Sequence, residues 1–63
     1  DYHGYKAALV QAAGYGHQLG LKEILAVFFV DSIDAGTLEK YQALFTDKTT
    51  GVKVKPIFVV TGI

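Results

Sequence analysis

The chain has 63 residues, 51% of them hydrophobic, with six acidic side chains against six basic ones and no cysteine. A chain this short is at most one domain and buries only about 60% of the surface its unfolded form exposes, so its stability is marginal without help, and that help cannot be a disulfide. Zero net charge removes any global field that would draw the chain to nucleic acid, and His3 and His17, widely spaced and without a cysteine partner, do not form a zinc site of the ordinary kind.

What is left is contact. Some of the apolar surface is expected to meet a second copy, making a homodimer the expected state, or a neighbouring domain of a parent protein. With Asp1 first and no methionine anywhere, residues 1–63 read as a single small domain cut from a larger chain. No stretch approaches the roughly 18 apolar residues of a membrane span. The N-terminus also lacks a basic-then-apolar signal pattern, so no membrane partner is expected and a cytoplasmic setting is.

The first predicted element is a helix from about His3 to Leu19. Tyr5, Ala8, Leu9, Ala12, Gly16 and Leu19 fall on one face at 100° per residue, with Lys6, His17 and Gln18 elsewhere. Alanine and glycine make that face smooth enough for close approach. Gly14 and Gly16 each cost roughly 1 kcal/mol of helix propensity, which tight packing is expected to offset. Gly20 stands where a left-handed cap ends the helix.

Glu23 to Val30 then runs through Ile24, Leu25, Ala26, Val27, Phe28, Phe29 and Val30 without a polar interruption. Its length and its β-branched and aromatic content predict a strand covered on both faces. One helix cannot supply both covers, so another layer is expected from a second helix or another chain. A second helix begins at Ile33, with Asp34 as N-cap and Ile33 stapled to Leu38. Leu38, Tyr41, Leu44 and Phe45 continue it at helical spacing, while Glu39, Lys40 and Gln42 face water; an extra strand near Phe45 is the alternative. Asp47 to Gly51 is a turn cluster. Val52 to Lys55 alternates as a one-sided strand, and Pro56 is expected to break the ladder before Ile57 to Val60, as a proline does at an edge or bulge. The class is α/β, a small helix-strand-helix-strand unit, with a parallel crossover favoured by the intervening helix.

Gln11 and Tyr15, four apart on the first helix and followed by LGLKEILAVFFV as helix end, turn and hydrophobic strand, resemble the C-terminal portion of the PD-(D/E)XK nuclease superfamily. The resemblance is to its RecB-like form with a Gln-x-x-x-Tyr motif, and to nuclease-like segments attached to uncharacterised bacterial AAA-type ATPases. It covers roughly Tyr5 to Val30 and implies a partial restriction-endonuclease-like fold, with Gln11 and Tyr15 beside a catalytic centre, helping to position nucleic acid or order a metal. Catalysis in that superfamily needs an acid and then an acid-x-Lys pair to hold a divalent ion and orient water. Neither Glu23 nor Glu39 has a lysine two positions on, and no acid precedes the first helix except Asp1. The resemblance therefore implies a catalytically incomplete module, with no catalytic or metal-ligating residue and no cofactor of its own. A divalent metal and nuclease activity would belong to the parent.

Each feature also has a structural reading. Gln11 and Tyr15 suit a rim pair, Tyr15 burying its ring and leaving its hydroxyl wet. His3 and His17 suit solvated positions. Lys48, Lys53 and Lys55, with Lys22 as a neighbour, are the candidate nucleic-acid contacts, but no aromatic residue interleaves with them as in single-strand binders, and lysines before a proline also protect a strand edge. Asp31 and Asp34 are weak as a metal pair because Asp34 already serves as a cap. Gly14-x-Gly16 lies inside a helix and is no phosphate loop. Two functions follow: a nuclease-like module that associates with nucleic acid in its parent, or a protein-protein interaction or dimerisation domain with no nucleic-acid role. A stand-alone enzyme fits less well than either.

Overall fold

The small-residue stripe does form a helix: α1 spans Tyr2–Gln18 in the computed structural model, which describes residues 2–62 and so leaves Asp1 and Ile63 outside the described residues. Leu9, Ala13 and Gly16 are its buried positions, one step round the wheel from the predicted Ala12-centred face. Leu19 lies past the helix end and is exposed. Gly20, at φ 72°, closes the helix with two reversed bonds. Its own N–H donates to the His17 carbonyl (3.1 Å) and the Leu21 N–H to the Gly16 carbonyl (2.8 Å), satisfying carbonyls that the last turn would leave open.

Strand β1 is Glu23–Val30, and helix α2, Ala35–Tyr41, follows it. Asp34 caps α2 as expected, its carboxylate accepting from the Thr37 N–H (2.8 Å) and hydroxyl (2.7 Å). The predicted continuation of α2 through Leu44 and Phe45 does not form. The helix stops at Tyr41, and Phe45–Thr46 is instead a short strand, β2, the alternative noted above. Helical spacing was matched by residues whose aromatic member is better used against the sheet: Phe45 packs on the core.

Strand β3, Lys53–Val60, lies in the middle of a three-stranded sheet of order β1-β3-β2. It pairs in parallel with β1, Glu23 opposite Lys53 through Val30 opposite Val60, and antiparallel with β2. The parallel crossover is therefore present, and the fold is a mixed α/β unit of two helices and one sheet.

Pro56 does not break the ladder as expected, and hydrogen-bond direction explains why. The Lys53 N–H donates to the Lys22 carbonyl (2.9 Å) and the Thr61 N–H to the Val30 carbonyl (2.8 Å), so odd-numbered residues of β3 face β1. Position 56, an even one, points the other way, and there β2 has already ended, so no donor is needed. By the same placement Lys53 and Lys55 are not edge guards, since β3 is the central strand.

The β2–β3 turn is held by Asp47. Its carboxylate accepts from the Thr50 N–H (2.9 Å) and hydroxyl (2.7 Å), and Gly51 takes φ 76° to return the chain. Above the sheet, Leu9 and Ala13 meet Val52 and Val54, all nearly sealed from solvent, with Tyr5, Ala12, Ile24, Ala26, Phe28 and Phe45 packed round them. This cluster lies wholly on the α1 face. The expectation that β1 is covered on both faces is not met within this chain: its burial alternates residue by residue.

The two helix-interior glycines have different reasons to be there. A Cβ on Gly16 would meet Val52 Cγ1 at 3.1 Å, whereas one on Gly14 would meet nothing within 4 Å. Gly14→Ala is expected to stabilise the chain by about 1 kcal/mol through helix propensity. Gly16→Ala gains the same propensity but must displace buried Val52 Cγ1 by a few tenths of an ångström, so its denaturant midpoint is expected to fall below that of Gly14→Ala; equal midpoints would contradict the close packing.

Hydrogen bonds to both carboxylates lower the pKa of Asp34, chiefly through the Thr37 N–H, and of Asp47, chiefly through the Thr50 hydroxyl. A lowered folded-state pKa contributes stability that is present above the unfolded value of about 4 and lost as pH falls through the folded value. The melting temperature should fall as pH drops below about 4, and an Asp34→Asn, Asp47→Asn double variant should show a flatter profile over that range. Parallel profiles would contradict the assignment.

Candidate functional site

Gln11 and Tyr15 both lie exposed on α1. The structure brings them together, the Gln11 Nε2 donating to the Tyr15 hydroxyl at 3.2 Å. They stand well round the helix from the Leu9, Ala13 and Gly16 stripe, directed away from the sheet, and neither borders the clefts described below.

Lys53 and Lys55 alternate with buried Val52 and Val54, so they project from the opposite face of the sheet. Lys22 is tied beside Lys53 by the backbone bond already described, and Lys48 sits in the β2–β3 turn. The motif pair and the Lys53–Lys55 pair thus occupy opposite sides of the molecule. Glu23 is the register partner of Lys53 and shares its face, which halves the positive charge there. Glu23, Leu25, Gln42, Leu44, Lys53 and Lys55 border a cleft of about 360 Å³. Among the described residues, no three His, Cys, Asp or Glu side chains gather where a metal ion could be held. Nor is any described helix long and apolar enough to cross a membrane.

Apolar side chains dominate the rest of that open face. Leu25 is 59% exposed, Val27 51% and Phe29 72%, with Val59 at 39% beside Phe29 on β3. Parallel strands normally have both faces covered, and here helix α1 covers one. The chain exposes 4570 Å² in total, against about 3,950 Å² expected from its mass for a compact monomer. The excess is about 600 Å², in a body extended over 36 × 17 × 16 Å. A second cleft, of about 600 Å³, lies at the Val30 end of β1, bordered by Gly4, Tyr5 and Ala8 of α1, Tyr41 of α2 and Phe58 of β3 as well as by residues 27–30 of the strand.

One cluster had no signal in local spacing. Tyr5 stacks on Tyr41 at 4.6 Å between ring centres, Phe28 on Phe58 at 5.3 Å, and Tyr2 leans on Tyr41 at 5.5 Å. The Tyr5 hydroxyl donates to the Tyr41 carbonyl; partial burial, then the neighbouring Tyr2 and Tyr41, push its pKa up. Lys6 lies over the Phe45 ring at 4.7 Å and Lys40 over Tyr2 at 5.1 Å. This cluster fastens α2 to α1 and the sheet, so its role is structural. The in-register pairing of Phe28 with Phe58 was the one clue, and it becomes visible only when the strand register is known.

Comparison with protein-family models, curated proteins and solved structures finds no match to this chain.

Proposed function

We propose that this chain is a protein-interaction module whose open sheet face docks another polypeptide. The observation that carries this reading is the row Leu25, Val27 and Phe29, each more than half exposed on a strand with no polar residue after Glu23. Exposed apolar area of that size and continuity is costly in water and rare on monomers without a binding role. Burying it against a partner returns roughly 25 cal/mol for each Å² removed from water.

A nuclease-like module that associates with nucleic acid is the second reading, and Lys53 and Lys55 side by side on the same face favour it. Two arrangements weigh against it. Glu23 offsets one of the two lysines, and Gln11 and Tyr15 satisfy each other on the far side. A phosphate-tracking surface needs several cations on one side, because affinity comes from the number of counterions displaced.

Sedimentation and DNA titration separate the two. Association should be insensitive to Lys53→Glu with Lys55→Glu and should be abolished by Leu25→Ser with Phe29→Ser, while a short DNA duplex should not bind even at low salt. Binding to DNA that weakens as salt rises, and weakens further on reversing the two lysines, would transfer the assignment to the nucleic-acid module.

A further inference from the structure

Helix α2 is fastened to the rest of the fold at one place. It contributes no buried residue; Thr37, Leu38 and Tyr41 are partly buried and its other positions are exposed. Clefts flank it on more than one side. One, of about 450 Å³, is bordered by Leu38 on one side and by Pro56, Ile57 and Phe58 of β3 on the other, and the 600 Å³ cleft at the end of β1 reaches Tyr41.

The attachments converge on Tyr41. Its ring stacks on Tyr5 at 4.6 Å with an interplanar angle of 11°, and meets Tyr2 at 5.5 Å and Phe58 at 6.5 Å. Lys40 adds its ammonium over the Tyr2 ring. The Tyr5 hydroxyl donates to the Tyr41 carbonyl, and among the described residues no other hydrogen bond joins α2 to α1 or to the sheet.

On either side of this segment the chain is held by the sheet. The Gly62 N–H donates to the Asp31 carbonyl (3.1 Å), and Phe45 packs on the core and pairs with Val54. Residues 32–44 therefore form a strap pinned at both ends and fastened once between them. Neither the buried cluster of Leu9, Ala13, Val52 and Val54 nor the side chains packed round it include a residue of the strap. The ladder between β1 and β3 does not use it either. A helix of seven residues does not persist alone in water, so α2 unwinds once Tyr41 leaves its stack.

We infer that α2 opens as a unit while α1 and the sheet stay folded, and that it is the removable cover of the outer edge of β3. The Lys53 and Thr61 N–H groups both donate toward β1, so odd-numbered residues of β3 bond to that strand and the Phe58 N–H points the other way. Strand β2 ends before reaching it, and the cleft beneath Leu38 lies there instead. Uncovered edges are templates for pairing with another strand. The closed strap blocks this one, and the open strap presents it with the parallel ladder intact.

Native-state hydrogen exchange tests this residue by residue, because amides that open locally respond to different substitutions from those that open only on global unfolding. Gly14→Ala stabilises α1, far from the strap. It should slow exchange of the Ile57 and Val59 amides about 5-fold and leave those of Leu38 and Gln42, bonded within the strap at 2.9 Å, unchanged. Tyr5→Phe keeps the ring stack and removes the hydroxyl, and should speed Leu38 and Gln42 about 5-fold. The Phe58 amide should follow the strap in both variants. Equal slowing at all four bonded amides in Gly14→Ala would mean a single cooperative unit and would overturn the inference. So would strap amides indifferent to Tyr5→Phe, or a Phe58 amide that exchanges as fast as in an unfolded chain, since α2 would then cover nothing.

Discussion

One helix covers one face of a sheet, and the rest of this molecule follows from that limit. Leu9, Ala13 and Gly16 fit against Val52 and Val54 closely enough that a single added carbon at Gly16 would crowd Val52. The fit fixes the distance of α1 from the sheet and therefore which residues of β1 and β3 are dry. Because side chains alternate along a strand, it fixes equally which are wet: Leu25, Val27 and Phe29 are apolar and on the wrong side. Helix α2 does not remedy this. It has no buried residue of its own, and Tyr41 attaches it to the already covered face by stacking on Tyr5.

Much of the local structure was legible because its signals are local. The helix stop at Gly20 needs a left-handed residue, and Asp34 needs a donor three positions on; Thr37 supplies it twice. The unbroken apolar run from Ile24 to Val30 was long enough to mark β1 to its last residue. What failed were judgements about neighbours. Leu44 and Phe45 continue the α2 spacing, yet Phe45 is drawn into the core by long-range contact with β3, which periodicity cannot register. Pro56 reads as a break in any isolated strand. Its tolerance depends on which side β2 occupies and how far β2 extends, two facts about the sheet rather than the segment.

The candidate site was legible to a smaller degree, for the same reason. Helical spacing brings Gln11 and Tyr15 within hydrogen-bond reach, but it does not say that their side of α1 looks away from the sheet. The alternation of Lys53 and Lys55 with valines places the lysines on one face, but not that this face is the open one, shared with Glu23. That β1 carries apolar side chains on both of its faces was readable from the sequence alone, because the run from Ile24 to Val30 has no polar member. Which of them would stay exposed was not, since that depends on the face α1 selects.

Parity joins these observations. In β1 the odd positions carry both the exposed side chains and the outward backbone groups, because the bonds to β3 use the even ones. Open face and free edge are therefore two aspects of one row of residues, Glu23, Leu25, Val27 and Phe29. A partner strand laid along the edge also brings its own apolar side chains beside theirs, and the two gains come together or not at all. Backbone pairing alone is weakly selective among strands, and apolar contact alone is indifferent to direction. An extended apolar strand would meet both at once, its backbone along the edge and its side chains beside Leu25, Val27 and Phe29.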